Sequence, residues 1–287
     1  MDCCSPCPYK SNRPTLFSRH TMNNPKKTIL STNSIAEELT RMQAEIRQKP
    51  NALELRVYYF QLLSVTGQWQ RALGQLQVCA QLDAKTLPMA QTYREALRCE
   101  LLREDIFAGK RAPQVLGQPP QWLGLLIEAQ QKLAEGALAE AAALRASALE
   151  EAPATSGTLN GEAFDWICDA DSRLGPVVEA IVNGQYYWIP FSQFREIKID
   201  APEDLRDVVW APAQFTFVNE GQTVALIPSR YIGSQAAEDE FKLSRKTAWN
   251  ELDSATFTGL GQRVWTTDQS DHALLDVRHL TIDAAEA

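Results

Sequence analysis

The chain is poor in the groups that carry most protein chemistry. Only three histidines occur in 287 residues, His20, His272 and His279. A histidine-based site therefore has to use the last two, which stand seven positions apart in text that reads as strand. Regular alternation would put them on opposite faces. There is no GxxxxGK[ST] loop and no GxGxxG after a strand, which excludes nucleotide binding through those cradles. No GxSxG elbow occurs either. Gly259-Leu260-Gly261 lacks the rest of a phosphate-binding pattern and reads as a turn.

Other absences narrow the class. No apolar run approaches the roughly 18 residues of a membrane-spanning helix. Lys10, Arg13, Arg19, Lys26 and Lys27 are not followed by the continuous apolar stretch of a secretory signal. A basic excess is missing too. Lys and Arg number 28 against 36 Asp and Glu, for a formal net charge of −8, so nothing offsets the phosphate charge of a nucleic acid. Cys79, Cys99 and Cys168 are scattered through text that reads as packed structure, and reduced thiols are the simpler reading. The expectation is a cytoplasmic protein without nucleic-acid, membrane or cofactor partners.

What is present divides into three. Residues 1–32 are rich in Pro, Ser, Asn and Lys, with little periodicity, and read as a disordered extension. Met22 opens a more ordinary start, so residues 1–21 read as over-extended. Cys3, Cys4 and Cys7 form a CCxxC cluster, but no second pair completes a tetrahedral metal set.

Residues 33–153 read as a helical domain. Ser34 with Glu37 has capping-box spacing, and Ile35, Leu39, Met42 and Ile46 make one apolar stripe. Two helices meet near Gly67, with Ala72, Leu76 and Cys79 following at steps of five, four and three. Gly136, Ala141, Arg145 and Ala148 repeat those steps. A turn glycine followed by small residues where helices approach is the logic of tetratricopeptide repeats. A plain helical bundle is the alternative. Between the copies, Met89–Ala108 is another strong helical run. In a free-standing stack, Glu54, Val57, Gln61 and Ser64 would share an exposed face with Leu123, Leu126, Gln130 and Leu133. Such a face suits an amphipathic partner helix; the competing reading makes the leucines core.

Residues 154–287 change character. Ala154–Gly161 reads as linker, and Pro176 as the first turn of a helix ending at Asn183-Gly184. Short runs then read as strands: Tyr186–Ile189, Glu196–Ile199, Val208–Trp210, Phe215–Val218 and Val224–Ile227. Later strand candidates are Lys242–Trp249, Gln262–Thr266 and Leu274–Ile282. The fold class is α+β, a tetratricopeptide-like helical domain followed by a β-rich antiparallel domain.

The stretch Phe164–Pro190 holds the densest run of uncommon residues. Asp165, Asp169 and Asp171 have the oxygen ligands of a divalent-cation site, which makes a metal-assisted hydrolase one reading. Their spacing matches no EF-hand loop. Carboxylates that cap the helix near Pro176 and pair with Arg173 account for them without a ligand. On that reading Trp166, Asp169, Asp171, Arg173, Tyr187 and Trp188 form a structural joint between the halves.

Several motifs taken together resemble the ImpE/TagJ family, accessory proteins of bacterial type VI secretion systems. They are LRVYYFQLLSVTGQWQRALGQL, LPMAQTYREALRCE, GQPPQWLGLL, FDWICDADSRLGP, GQYYWIPF, APEDLRDVVWAPAQF and ALIPSRYIGS. The resemblance runs from about Asn33 to Ile282. It implies a non-enzymatic adaptor that binds a helical segment of the small contractile-sheath subunit and modulates sheath assembly, or its recycling by a AAA+ ATPase. It implies no catalytic residues, metal or cofactor. A general tetratricopeptide-like scaffold with another partner is the remaining alternative.

Overall fold

A computed structural model describes residues 34–253 and 255–284. The extension over 1–32, with Cys3, Cys4, Cys7 and His20, lies outside the described residues.

Helix α1 (Ile35–Gln48) begins where its sequence sets it. The Ser34 hydroxyl accepts the Glu37 N–H, and the Glu37 carboxylate accepts the Ser34 N–H at 2.9 Å. Two helical hairpins follow the same plan. The first joins α2 (Leu53–Val65) to α3 (Trp69–Leu82), and α4 (Leu87–Phe107) comes next. The second joins α5 (Gln121–Ala134) to α6 (Leu138–Glu151). At the first turn Gly67, with φ 67°, donates to the Ser64 carbonyl, and Gln68 reaches back to Leu63. At the second turn Gly136, with φ 81°, donates to Leu133, and Ala137 reaches back to Lys132. Both are helix stops closed by a left-handed glycine. Ala72, Leu76 and Cys79 are buried, as are their counterparts Ala141, Arg145 and Ala148.

The strands form three sheets. In chain order they are β1 (Gln114–Val115), β2 (Gly157–Leu159), β3 (Glu162–Phe164), β4 (Ile167–Asp169), β5 (Val177–Val182), β6 (Gln185–Pro190) and β7 (Phe194–Ile199). Then come β8 (Trp210–Phe217), β9 (Gln222–Pro228), the short helix α7 (Asp239–Lys242), β10 (Thr247–Asp253), β11 (Thr256–Gly261), β12 (Val264–Thr267), β13 (Asp271–Ala273) and β14 (His279–Ile282). Nine strands run in the order β1-β6-β5-β9-β8-β7-β14-β2-β3, antiparallel apart from β1 beside β6. The others are a three-stranded sheet, β13-β12-β4, and the hairpin β10-β11. The α+β architecture is as expected.

Several local expectations fail. Gly259-Leu260-Gly261 is no turn but the end of strand β11. Val208, Lys242 and Leu274, expected to open strands, belong to short helical turns, and the strands begin later, at Trp210, Thr247 and His279. Pro176–Asn183 is no helix: Val177–Val182 is strand β5, buried along its whole length. The Asn183-Gly184 pair is a two-residue hairpin loop with φ 49° and 75°, pairing Val182 with Gln185. Asn-Gly between β-branched runs favours this turn, because both central residues take positive φ. Ala154–Gly161 is not all linker, since β2 lies within it. There the Gly157 α-carbon faces the Thr281 carbonyl, where an added Cβ would sit at 2.0 Å.

At β5 the main sheet is buried on both faces. Val177 and Ile181 of β5 join a hydrophobic cluster with Phe60, Leu97 and Trp122 of the helices. The alternate residues Val178, Ala180 and Val182 join a second cluster with Ile167, Trp265 and Leu274. Period-two alternation thus sends one side of the strand to the helices and the other to the smaller sheet. The helical and β-rich halves share one core.

Candidate functional site

That shared core contains charges. Glu179 points from the middle of β5 toward the helices, on the same side as Val177 and Ile181. Arg103, one of the buried residues of α4, meets it with Nε at 2.6 Å from Oε1 and Nη2 at 3.1 Å from Oε2. Arg263, immediately before β12, also pairs with Glu179 and bridges to Asp169 on β4. The Tyr186 hydroxyl donates to Glu179 as well and accepts from Trp188 Nε1 at 2.8 Å. Arg103 reaches the Arg230 carbonyl at 2.8 Å and Glu100 at 3.4 Å, and Glu100 accepts from Trp210 Nε1 at 2.9 Å. Arg230 in turn donates to the carbonyls of Val65 and Lys242, each at 2.7 Å. It thereby supplies the C-terminus of α2 with the cation that a helix end favours.

Asp169 and Asp171 belong to the same network, in different roles. Asp169 accepts from Tyr231 Oη at 3.0 Å and from the Asp171 N–H at 2.9 Å, besides its pairing with Arg263. Asp171 takes Arg173 through Nε at 2.8 Å and Nη2 at 2.5 Å, and the Gly259 N–H at 2.8 Å. Arg173 therefore does not tie the two aspartates together, as expected from sequence. Nor do they cap a helix at Pro176, because none starts there. Asp165 is apart from both, exposed, with its N–H bonded to Asp268. The oxygen-ligand triad is not assembled, and among the described residues no group of three or more His, Cys, Asp or Glu is placed to hold a metal. His272 on β13 and His279 on β14 lie in different sheets, and His279 pairs with Glu196.

Four buried carboxylates (Glu100, Asp169, Asp171 and Glu179) thus face four guanidiniums (Arg103, Arg173, Arg230 and Arg263). The balance is what makes burial tolerable, since an unpaired charge in a core costs several kcal/mol, about 3–5 when one partner is removed. Burial would raise the Glu179 carboxyl, but Arg103 and Arg263 outweigh it and hold it at about 2. For Asp169 burial wins: opposed by Arg263 and aided by the charge of Asp171, it pushes the carboxyl up to about 6. Burial, only partly offset by Glu100, brings Arg230 down to about 10. Every carboxylate is engaged by donors, so the cluster offers no free base or nucleophile. Its chemistry is attachment of α2 and α4 to β4, β5 and β12.

The other joint residues divide by face. Trp188 is fully buried and packs its ring 6.0 Å from that of Phe107 on α4. Tyr187 is half-buried and bonds Gln185, and Trp166 is half-buried. Sequence reading passed over Glu100, Arg103, Glu179, Arg230, Tyr231 and Arg263. A usable signal was present in VVEAIV, where one carboxylate interrupts a run otherwise apolar; its partners are too distant in sequence for any local pattern to reach.

Burial divides the expected partner face: Gln61, Ser64, Leu123, Leu126 and Gln130 are buried, Val57 and Leu133 are half-exposed, and Glu54 is exposed. The Gln61 side-chain oxygen, Oε1, accepts the Leu205 N–H at 3.1 Å, and the Ser64 backbone carbonyl faces Arg230. A free-standing helical stack would expose this side, but here Leu205 and Arg230 of the β-rich half cover its α2 part, and Gln130 of α5 is bonded to α4.

Comparison with known proteins was informative at three levels. Residues 161–281 match the family model described as ImpE protein. The chain is 45% identical, over 260 residues, to the type VI secretion system accessory component TagJ of Pseudomonas aeruginosa, covering 90% of this chain and 91% of that one. An X-ray crystal structure of a Vibrio parahaemolyticus protein superposes with a TM-score of 0.80 at 23% identity, covering 87% of this chain and 94% of the other. That likeness concerns the fold.

Proposed function

The chain belongs to the ImpE/TagJ family, and from that premise we propose that it is a non-enzymatic, cytoplasmic accessory protein of a bacterial type VI secretion system. Its work is to hold a helix of the small contractile-sheath subunit, and so to modulate sheath assembly or recycling by the AAA+ ATPase. The observation that carries this reading is the 45% identity to TagJ, which extends through the helical and the β-rich halves alike. The charge network supports it, because donors already engage each of its carboxylates while it clamps two halves into one rigid body.

With the inner side of the helices covered, the partner helix needs another seat. On α5, Gly124 and Gln131 are exposed and Ile127 is half-buried, all on one side. A Cβ placed at Gly124 would meet nothing within 4 Å, so a helix can approach closely there. We place the partner along this strip. Co-expression with the small sheath subunit should give a complex that co-elutes in size exclusion, and deleting that subunit's helical segment should abolish it. Binding that survives the deletion overturns the mechanism.

A further inference from the structure

Beside the same strip, between the C-terminal turn of α4 and α5, lies an open cavity of about 130 Å³. Its walls are mixed: Ile106, Ala112, Pro113 and Ile127 supply the apolar part, and Gln131 stands among the polar groups. Lys110 and Arg111 stand at its mouth, and Gln130 of α5 lines it. The helix end itself leaves little unsatisfied, because Gly109 and Lys110 donate to the carbonyls of Ile106 and Asp105. The unsatisfied group is Gln130. This residue is only 4% exposed, its Nε2 donates to the Phe107 carbonyl at 2.9 Å, and its Oε1 has no partner. The Phe107 carbonyl fixes which end of the amide is oxygen, so the orphan is an acceptor. Buried acceptors in folded proteins are nearly always paired, so this oxygen calls for a donor, from water or from a bound group that displaces it.

The chemistry of an occupant follows from these three features. It must carry an N–H or O–H at its tip for Gln130 Oε1. A lysine tip is disfavoured by Lys110 and Arg111, whose visible partner is the single carboxylate of Asp105, at 3.2 and 3.8 Å. A carboxylate has no hydrogen to give, and a serine hydroxyl is too short to fill the space. A carboxamide meets each requirement, and the cationic mouth favours an acidic residue beside it. We propose that this cavity is a recognition pocket for one Gln or Asn side chain of a partner segment, with a neighbouring carboxylate set against Lys110 and Arg111.

The pocket's chemistry is independent of which protein supplies the segment, so its test stands apart from the sheath-subunit experiment. The probe is the capped dipeptide N-acetyl-Gln-Glu-amide, titrated into the whole protein while the Ala112 and Ile127 methyl signals and the Gln130 side-chain amide are followed by NMR. Saturable shifts at these three residues are expected in the millimolar range. N-acetyl-Met-Glu-amide, which keeps the shape without the donor, should bind at least tenfold more weakly, and N-acetyl-Gln-Lys-amide likewise. Ala112→Phe, a change at an exposed position that fills the cavity, should abolish the shifts while leaving the melting temperature in place. Equal binding of the three dipeptides overturns the proposal, and so does the absence of saturable shifts with the Gln-Glu probe.

Discussion

Arg103 on α4 and Glu179 on β5 make a two-point ion pair, at 2.6 and 3.1 Å, with side chains 4% and 0% exposed. They are 76 residues apart in the chain, and their contact ties the helical half to the centre of the sheet. Surface pairs such as Arg41 with Glu45 are half in water and contribute at most about 1 kcal/mol. Removing one member of the buried pair leaves the other as an uncompensated charge, which decides where mutation acts hardest.

Arg103→Met is therefore expected to lower unfolding free energy by about 3–5 kcal/mol. Glu179→Gln should cost a similar amount, because it abandons both Arg103 and Arg263. The double variant should be less destabilised than the two losses added together, as befits residues in contact. Urea denaturation measures all three. A loss below about 1 kcal/mol for Arg103→Met, the scale of a surface pair, would remove the pair from its structural role.

The same network gives stability two opposed pH dependences. Asp169 has a folded value of about 6, raised from an ordinary 3.8, so the folded state binds its proton more tightly than the unfolded one. Its protonation favours folding, and that contribution is lost as pH rises from about 4 to 6. Glu179 is held at about 2 against an ordinary 4.5, so its contribution is present above 4.5 and lost as pH falls toward 2. Between pH 7 and 5, then, Asp169→Asn should lose ground relative to the parent as the solution is acidified, by about 1–2 kcal/mol. Thermal melts of both proteins at the two pH values test this. A stability difference that does not change with pH contradicts the raised value.

The two hairpin turns predict unequal costs for equal substitutions. At Gly136 an added Cβ would meet nothing within 4 Å, so Gly136→Ala should cost only the left-handed backbone penalty, about 1–2 kcal/mol. At Gly67 the same Cβ would sit 2.5 Å from Gln235 Cγ, a side chain that also bonds Glu104. Gly67→Ala should therefore melt at a lower temperature than Gly136→Ala. The reverse order would mean that Gln235 moves aside freely.

Local structure was largely legible where a local cause sets it. Ser34 with Glu37 announces α1, and Gly67 and Gly136 announce the hairpin turns, because capping and positive φ are decided within a few residues. Asn183-Gly184 misled for the same local reason: one pair serves equally as a helix stop and as a two-residue hairpin. Only the pairing of β5 with β6 on one side and β9 on the other decides between them. Of the aspartates of Phe164–Pro190, Asp169 and Asp171 lie in the buried network and Asp165 does not, and their partners were not foreseen. Tyr231 and Arg263 reach Asp169 across 62 and 94 residues.

By itself, then, the sequence determined the helical first half, the repeated hairpin, the β-rich character of the second half and the family, since periodicity, turn chemistry and shared motifs are written along the chain. Only the tertiary structure decided which faces are surface. It set the β-rich half against α2 and packed α5 into the same core, so that Gln61, Leu123 and Leu126, expected on a docking face, are buried. It also brought Glu179 within reach of Arg103 and Arg263. Charge pairing acts through space over a few ångströms, and no regular spacing in the chain records which distant residues will be brought that close.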